Sequence, residues 1–535
     1  MITYLVNRIN LSLDGDDADA FEAAKKRLRR LGPLPSDAVF RLYRRSVDAR
    51  RKSDVHFVAS VAVTGSFSRY PSEHLASSQI SCLAEDSEPS FAPSEVLSGR
   101  PLIVGAGPAG LFCALRLAQA GYAPLVLERG APIDERVRIY ESFKSTRVLC
   151  PESKIQFGAG GAGTCSDGKL VTRISDPAVS RILQSFVDLG APSEILWQAK
   201  PHVGTDILRG VVDALCRQIV SLGGEILYHT KVNSIDRRDG IACGVLTSRG
   251  YFPCGLLVLA VGNSANDLFR GMLSDGFTVS PKPFSVGLRI EHLQSEIDRA
   301  MYGRFAGHPA LGHAEYQLSS NTDTRGVYTF CMCPGGEVVA AASEEETVVV
   351  NGMSNHARDG ENANSAIAVS IFPEDYGSSV LGAIDFRQSL EAKAYRAGGG
   401  RYVAPCTTVG DFLDGTEGAP VGRVRPSYLG GDVRMVSPDR YLPSFVTSAL
   451  RGALGAFERR IFGFADREAL LTGVETRTSC AVRITRDERR LAIGVSNLYP
   501  IGEGAGYAGG ITSSAADGYR TALAILGRYL APKVD

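Results

Sequence analysis

Residues 101–130 read PLIVGAGPAGLFCALRLAQAGYAPLVLERG, and this stretch decides the fold. Leu102, Ile103 and Val104 form a short apolar run, the mark of a parallel strand buried on both faces. Gly105, Gly107 and Gly110 follow as G-x-G-x-x-G. The first allows a tight turn, the second lets backbone approach a pyrophosphate, and the third lets the helix pack close to the strand. The next helix carries Leu111, Ala114, Leu115 and Ala118 on one face and stops at Gly121. Its N-terminus offers N–H groups and a positive dipole end to a phosphate. Leu125, Val126 and Leu127 make a second strand ending in Glu128, about twenty residues past the glycines, where a ribose hydroxyl needs an acceptor. Together these features mark a dinucleotide site. They do not separate FAD from NAD.

Outward from this stretch, 535 residues are enough for two or three cores. The chain carries 58 basic and 58 acidic residues, so no overall field favours nucleic acid or an anionic membrane. The opening MITYLVNRINLSLDGDD turns acidic at once, unlike a secretory signal, and no apolar run reaches membrane-spanning length. Eleven cysteines are scattered without a C-x-x-C pair, which fits a reducing cytoplasm and argues against a disulfide reductase. Cys331 and Cys333, two apart in a strand, read as small buried residues rather than metal ligands.

Residues 1–97 read as a small ferredoxin-like α+β domain and linker. ITYLVNRINLSL alternates as a strand, DADAFEAAKKRLRRLG is a helix closed by Gly32, and VFRLYRRSVDARRKSDVHFVASVAV gives one or two more strands. The basic residues Arg44, Arg45, Arg50, Arg51 and Lys52 read as a charged strand edge that blocks aggregation, with a docking surface for a partner or RNA as the alternative. Residues 70–98, rich in Ser, Pro and acid, read as a linker.

After Glu128 comes a second glycine-rich stretch, FGAGGAGTCSDGKL (Phe157–Leu170), too rich in glycine for a regular element. Thr164, Ser166, Asp167 and Lys169 follow its glycines, as in a loop wrapped round a cofactor. A helix then covers ISDPAVSRILQSFVDLG, and AKPHVGTDILRGVVDALCRQIVSLGG reads as a loop followed by an amphipathic helix ended by Gly223-Gly224. A strand meander leads to LLVLAVG, where Gly262 gives backbone a third approach to a nucleotide. The last element, NLYPIGEGAGYAGGITSSAADGYRTALAILGRYL, runs from an apolar strand through Gly502-Glu503-Gly504 into a helix. A nucleotide fold opened near 101 and closed near 530 around a large insertion is the pattern of FAD-binding oxidoreductases. The expected fold is therefore α/β: a Rossmann-like FAD-binding domain in two parts, 98–281 and 481–535, with a β-rich α+β insertion at 282–480.

Four stretches together carry a family resemblance: VGAGPAGL, FGAGGAGTCSDGKL, the block from RGVYTFCMCPGGEVVAA through NGMSNHARDGENANSAI, and GVETRTSCAVRI with LYPIGEGAGYAGGI. The chain resembles the bacterial NAD(FAD)-utilizing dehydrogenases, distant relatives of the glutathione-reductase-type flavoproteins, over nearly its whole length. The resemblance implies noncovalent FAD and supplies no agreed reaction. It implies that Gly105, Gly107, Pro108, Ala109 and Gly110 hold the pyrophosphate, with Glu128 on the adenosine ribose and Arg129 beside it. Gly160, Gly161, Gly163 and Lys169 fall near the pyrophosphate and isoalloxazine, Gly502, Glu503 and Gly504 near the ribityl chain, and Val232 near adenine. Two positions depart from the family: Ala159 stands where it has Glu, and Asn263 where it has His. Drift at dispensable positions and specialisation to another substrate are the two readings.

In the insertion, Arg289 alternates with Val286, Leu288 and Ile290. It is a candidate for an anionic substrate, or else a surface partner of Glu291, the commoner arrangement. The polar loop Asn355–Asn362 holds His356, the best general acid/base candidate by intrinsic pKa, and Arg358. Lys169 is the fourth catalytic candidate. His292 and His202 are weaker, and GAFERRIFGF reads as core helix. With no second G-x-G-x-x-G, no dedicated NAD(P)H domain is visible, so NAD(P)H, a protein redox partner or the substrate itself must reduce the flavin. The first expectation is hydride transfer from a small organic molecule to FAD. A monooxygenase fed by NAD(P)H is the alternative, and a flavin protein acting on RNA the third, disfavoured by neutral charge.

Overall fold

A computed structural model describes residues 1–84, 88–321 and 325–532. The chain divides into two compact units, one made of Met1–Ser90, Pro192–His202 and Ser295–Ala314, the other of the remainder. In the first unit, helix Asp17–Arg29 is held at its start by a capping box between Asp16 and Asp19 and buries Ala20, Ala24 and Leu28. The sheet runs Val39–Asp48, His56–Gly65, Ile2–Leu11, Ile80–Leu83, all antiparallel. That strand order is the ferredoxin-like one. Part of the stretch expected to be a linker is therefore built into the fold: Ser72–Ser77 is helical and Ile80–Leu83 pairs with Thr3–Val6. Only Ile80 of that strand is buried, so backbone pairing rather than an apolar pattern makes it. Residues 85–87 of the same stretch lie outside the described residues. At the other edge, the Arg45 N–H donates to the Trp197 carbonyl at 2.7 Å and its guanidinium stacks 4.3 Å from the indole. The basic edge is thus partly covered by chain.

The second unit holds the Rossmann-like sheet, five parallel strands in the order Leu498–Pro500, Leu257–Leu259, Leu102–Val104, Leu125–Leu127, Glu225–Leu227. The chain leaves this sheet after Leu259 and returns beside the strand it left, with Leu257 paired to Leu498. Helices Pro108–Gln119 and Ile511–Arg528 pack so closely that a Cβ on Gly518 would lie 2.0 Å from the Ala109 carbonyl oxygen. The intervening chain builds a seven-stranded sheet whose central strand is Phe284–Leu293, between Asn362–Ile371 and Leu470–Glu475. Within the second glycine-rich stretch, Gly161–Cys165 forms one 3-10 turn, a regular element where none was expected. Among the described residues, no helix is long and apolar enough to cross a membrane.

The central strand corrects the reading of Arg289. Nine of its ten residues are buried, polar and apolar alike, because both faces are covered. Arg289 meets Asn351 of the hairpin Glu337–Ala340/Val350–Met353, while His292, of opposite parity, meets the Phe464 carbonyl. Arg289 and Glu291 are both 0% exposed and make no surface pair.

Candidate functional site

Four glycine turns meet at the C-terminal end of the parallel sheet. Gly105 has φ +105°, and a Cβ there would sit 2.3 Å from the Ala260 oxygen; one on Gly110 would sit 2.0 Å from the Gly105 oxygen. Only glycine lets strand, turn and helix close this tightly. A Cβ on Gly161 would lie 3.4 Å from the Gly107 Cα, one on Gly502 2.7 Å from the Ala109 Cβ, and one on Gly504 2.2 Å from the Gly262 oxygen. A Cβ on Gly107 or Gly262 would meet nothing within 4 Å, so at these two positions the backbone faces open space.

Glu128 ties the turns together. Its Oε2 accepts from the Ala106 N–H at 2.8 Å, and its Oε1 from the N–H groups of Gly130 (2.8 Å) and Gly158 (3.1 Å). Three of about four acceptor positions are used, leaving one for a hydroxyl. Residues 229–232 run alongside: the N–H groups of His229 and Thr230 donate to the Gly130 and Glu128 carbonyls, which places buried Val232 next to this end. Arg129 lies 4.1 Å over the Phe157 ring and pairs with Glu152 and Asp267.

Two groups of buried polar residues border the turns. In one, the Asn263 amide donates to Glu503 at 2.7 Å and to the Arg477 carbonyl at 3.2 Å, and Arg477 pairs with Glu391 at 2.7 Å. Burial pushes the Glu503 carboxyl up to about 7. Arg387 donates to Asn266 at 2.9 Å and to the Asn263 carbonyl at 3.3 Å, but its Nε and Nη1 have no partner among the described residues, nor has the amine of Lys154. Burial, and then Arg477, hold the Lys154 amine well below its ordinary range. In the other group, Asp167 takes hydrogen bonds from Arg358 and Ser354 and lies 3.7 Å from the Lys169 amine. Burial alone would lower the Lys169 ammonium, but Asp167 and its neighbours leave it raised.

Residues 283–478 match the model of the "FAD-dependent protein, C-terminal domain-like" family, and residues 103–133 that of the NAD(P)-binding Rossmann-like domain. An uncharacterized protein of Clostridium beijerinckii is 42% identical over 538 residues, spanning 99% of each chain. The chain belongs to this FAD-dependent family. The FAD-dependent protein is an oxidoreductase, and FAD is its cofactor. Among solved structures it is similar to the glycine oxidase of Bacillus cereus (13% identity, 81% of this chain and 99% of that one, TM-score 0.34). It is also similar to the L-amino acid deaminase of Proteus vulgaris (12%, 84% and 97%, TM-score 0.33). Likeness at this level says nothing about substrate.

The residues present fit the cofactor. Backbone faces open space at Gly107 and Gly262, helix Pro108–Gln119 begins with no side chain capping its N–H groups, and buried cationic N–H groups on Arg387 lack partners among the described residues. An anionic dinucleotide answers all three.

Of the four catalytic candidates in the FAD-dependent protein, Arg358 and Lys169 come together on Asp167. The Arg289 guanidinium donates to Glu475 (3.3 Å), Asn364 (3.1 Å), Asn351 (3.3 Å) and the Cys331 carbonyl (2.6 Å). Each of its three nitrogens thus has an acceptor within the protein. His356 packs against Gly204, its Nδ1 3.1 Å from the Val203 carbonyl and its own N–H on Asp206. Lys154 and Arg387 were missed. Lys154 stands in the short bridge before the second glycine stretch, outside any periodic element. Arg387 had a signal: positions 380, 383, 384, 387, 390, 391, 394 and 398 of helix Val380–Gly398 are the buried ones, and that 3-4 spacing puts Arg387 and Glu391 on the core face.

Proposed function

We propose that this FAD-dependent oxidoreductase oxidises a small organic substrate, a hydride leaving a substrate carbon for the flavin. The observation that carries the reading is Lys154, a buried amine without a hydrogen-bond partner among the described residues, held well below its ordinary range by burial. Bound FAD supplies the two-electron acceptor. The backbone of Gly105, Gly107, Pro108–Gly110, Gly160, Gly161 and Gly163 lines the pyrophosphate, with the N–H groups of Gly107, Ala109 and Gly110 at the helix start as its donors, Glu128 holds the adenosine ribose, and the backbone at Val232 the adenine. Gly502, Glu503 and Gly504 line the ribityl chain with Gly262, and Lys169 lies toward the ring. A hydride leaves an alcohol carbon as the O–H loses its proton, and leaves an amine carbon only once the ammonium has lost its proton to free the nitrogen lone pair; the Lys154 amine accepts that proton. Arg387 orients an anionic group, while Arg358 is a positioning residue that fixes the loop bearing Asp167 and Lys169. His356 docks its own loop. The division of labour is by domain: 1–97 apart from the redox step, 98–281 and 481–535 for FAD, 282–480 for substrate.

The test is anaerobic mixing of the oxidised holoprotein, first with NADH and NADPH, then with pools of small alcohols, amines and hydroxy and amino acids. The expected result is bleaching of the flavin bands by a member of the pools and not by pyridine nucleotide. Rapid bleaching by NADPH alone would replace this reading with the monooxygenase.

A further inference from the structure

We infer that the insertion carries a second ligand site, for a small organic cation bearing at least two N–H donors. The site is a cavity of about 400 Å³ walled by the Gly335-Gly336 turn, the loop from Ser354 to Asn362 and residues 425–427. The polar loop singled out in the sequence is one of its walls.

Two acceptors are left over, one on Asn362 in the cavity wall and one on Glu291, which is hydrogen-bonded to the wall residues Asn362 and Ser427. The Asn362 amide nitrogen donates to Glu291 Oε1 at 3.0 Å and to the Arg425 carbonyl at 2.8 Å. Both partners are acceptors, so the amide orientation is fixed and Oδ1 is the atom turned away from them. That oxygen has no partner among the described residues, and Asn362 is 5% exposed. Glu291, 0% exposed, accepts three hydrogen bonds on Oε1: from Asn362, from the Ser427 N–H at 3.2 Å and from the Ser427 hydroxyl at 2.5 Å. Its Oε2 accepts none. The nearest cation on its own strand, Arg289, is committed to Glu475. A buried acceptor without a donor is costly, and here two share one hydrogen-bonded unit.

The charge of the walls selects among donors. Glu337, Asp359 and Glu361 line the cavity against a single Arg425. A guanidinium or primary ammonium brings positive charge and several N–H groups at once, and the volume suits a molecule of a few heavy atoms beyond that head. Ser354, in the same wall, donates to Asp167, so an occupant lies one residue from the cofactor loop.

Isothermal titration of the FAD-loaded protein with methylguanidinium, putrescine and tetramethylammonium at constant ionic strength tests the site without turnover. One equivalent of methylguanidinium or putrescine should bind, and tetramethylammonium, which has the charge but no N–H, should bind at least tenfold more weakly. Glu291→Gln puts an amide N–H where Oε2 stood and should weaken binding at least tenfold. Should that variant fail to fold, the exposed pair Asp359→Asn with Glu361→Gln decides, with about a threefold loss at an unchanged melting temperature. Absence of binding by both N–H probes, equal binding of tetramethylammonium, or unaltered affinity in a folded variant would overturn the inference.

Discussion

Arg358 holds Asp167 with two hydrogen bonds, Nη2 to Oδ2 at 2.6 Å and Nε to Oδ1 at 3.2 Å, while its Nη1 reaches Glu315 at 2.6 Å. Asp167 is fully buried, so the pair joins the polar loop of the insertion to the loop that follows the second glycine stretch. Breaking such a pair from one side leaves a buried charge, at a cost of about 3–5 kcal/mol. Arg358→Ala should therefore lower the unfolding midpoint and release flavin on gel filtration, with Arg358→Lys between it and the parent because one ammonium cannot serve both oxygens. Full flavin retention in Arg358→Ala would remove Arg358 from the positioning role.

Gly107 and Gly110 separate cofactor binding from folding. A Cβ at Gly110 strikes the Gly105 carbonyl, so Gly110→Ala should fail to give a folded Rossmann unit. A Cβ at Gly107 meets no protein atom, so Gly107→Ala should fold with the melting temperature of the flavin-free parent and bind FAD at least tenfold more weakly. Circular dichroism of the apoproteins and FAD titration by fluorescence quenching check the contrast.

Lys154 links stability to pH. Its folded pKa is depressed by burial, so between that value and about 10.4 the unfolded chain binds one more proton than the native one, and stability rises with pH in that window. Lys154→Met lacks this penalty. The flavin-free variant should melt above the parent near neutrality, and the difference should shrink as the pH approaches 10. With a substrate in hand, flavin reduction should slow by about a hundredfold, the scale of a lost general base. Parallel melting curves at every pH would show that the amine is not buried neutral.

Cys331 should be the most reactive thiol. A hydrogen bond from the Cys333 thiol, then Arg289 and Lys169, hold it below the ordinary thiol range, while Cys333 is held above it. Burial pushes Cys406 up to about 12 and Cys480 up to about 11. Iodoacetamide near neutral pH should label Cys331 ahead of exposed Cys82, and Cys333→Ser should slow that labelling about tenfold. Peptide mass mapping reads both.

The glycine turns were legible because their constraint is local: a Cβ at Gly105 or Gly110 collides with backbone within the same strand–turn–helix unit or the adjoining strand end. The return of the chain at Leu498 was legible for the same reason, an apolar strand running into Gly502 and Gly504. The edge strand Ile80–Leu83 was not, since one buried residue in four leaves no periodic signal.

By itself, then, the sequence determined a Rossmann-like FAD unit split by an insertion, because glycine sterics and buried apolar strands are written in neighbouring residues. It could not assign Arg289, whose alternation with apolar residues matches a solvent-facing strand as well as one covered on both sides. Only the tertiary structure decided that Arg289 is spent on Glu475 and Asn364, that Lys154 is a buried amine held well below its ordinary range, and that Glu291 and Asn362 keep spare acceptors. Burial and hydrogen-bond partners come from segments up to a few hundred residues apart, and the charge and capacity of a polar side chain are set by those partners.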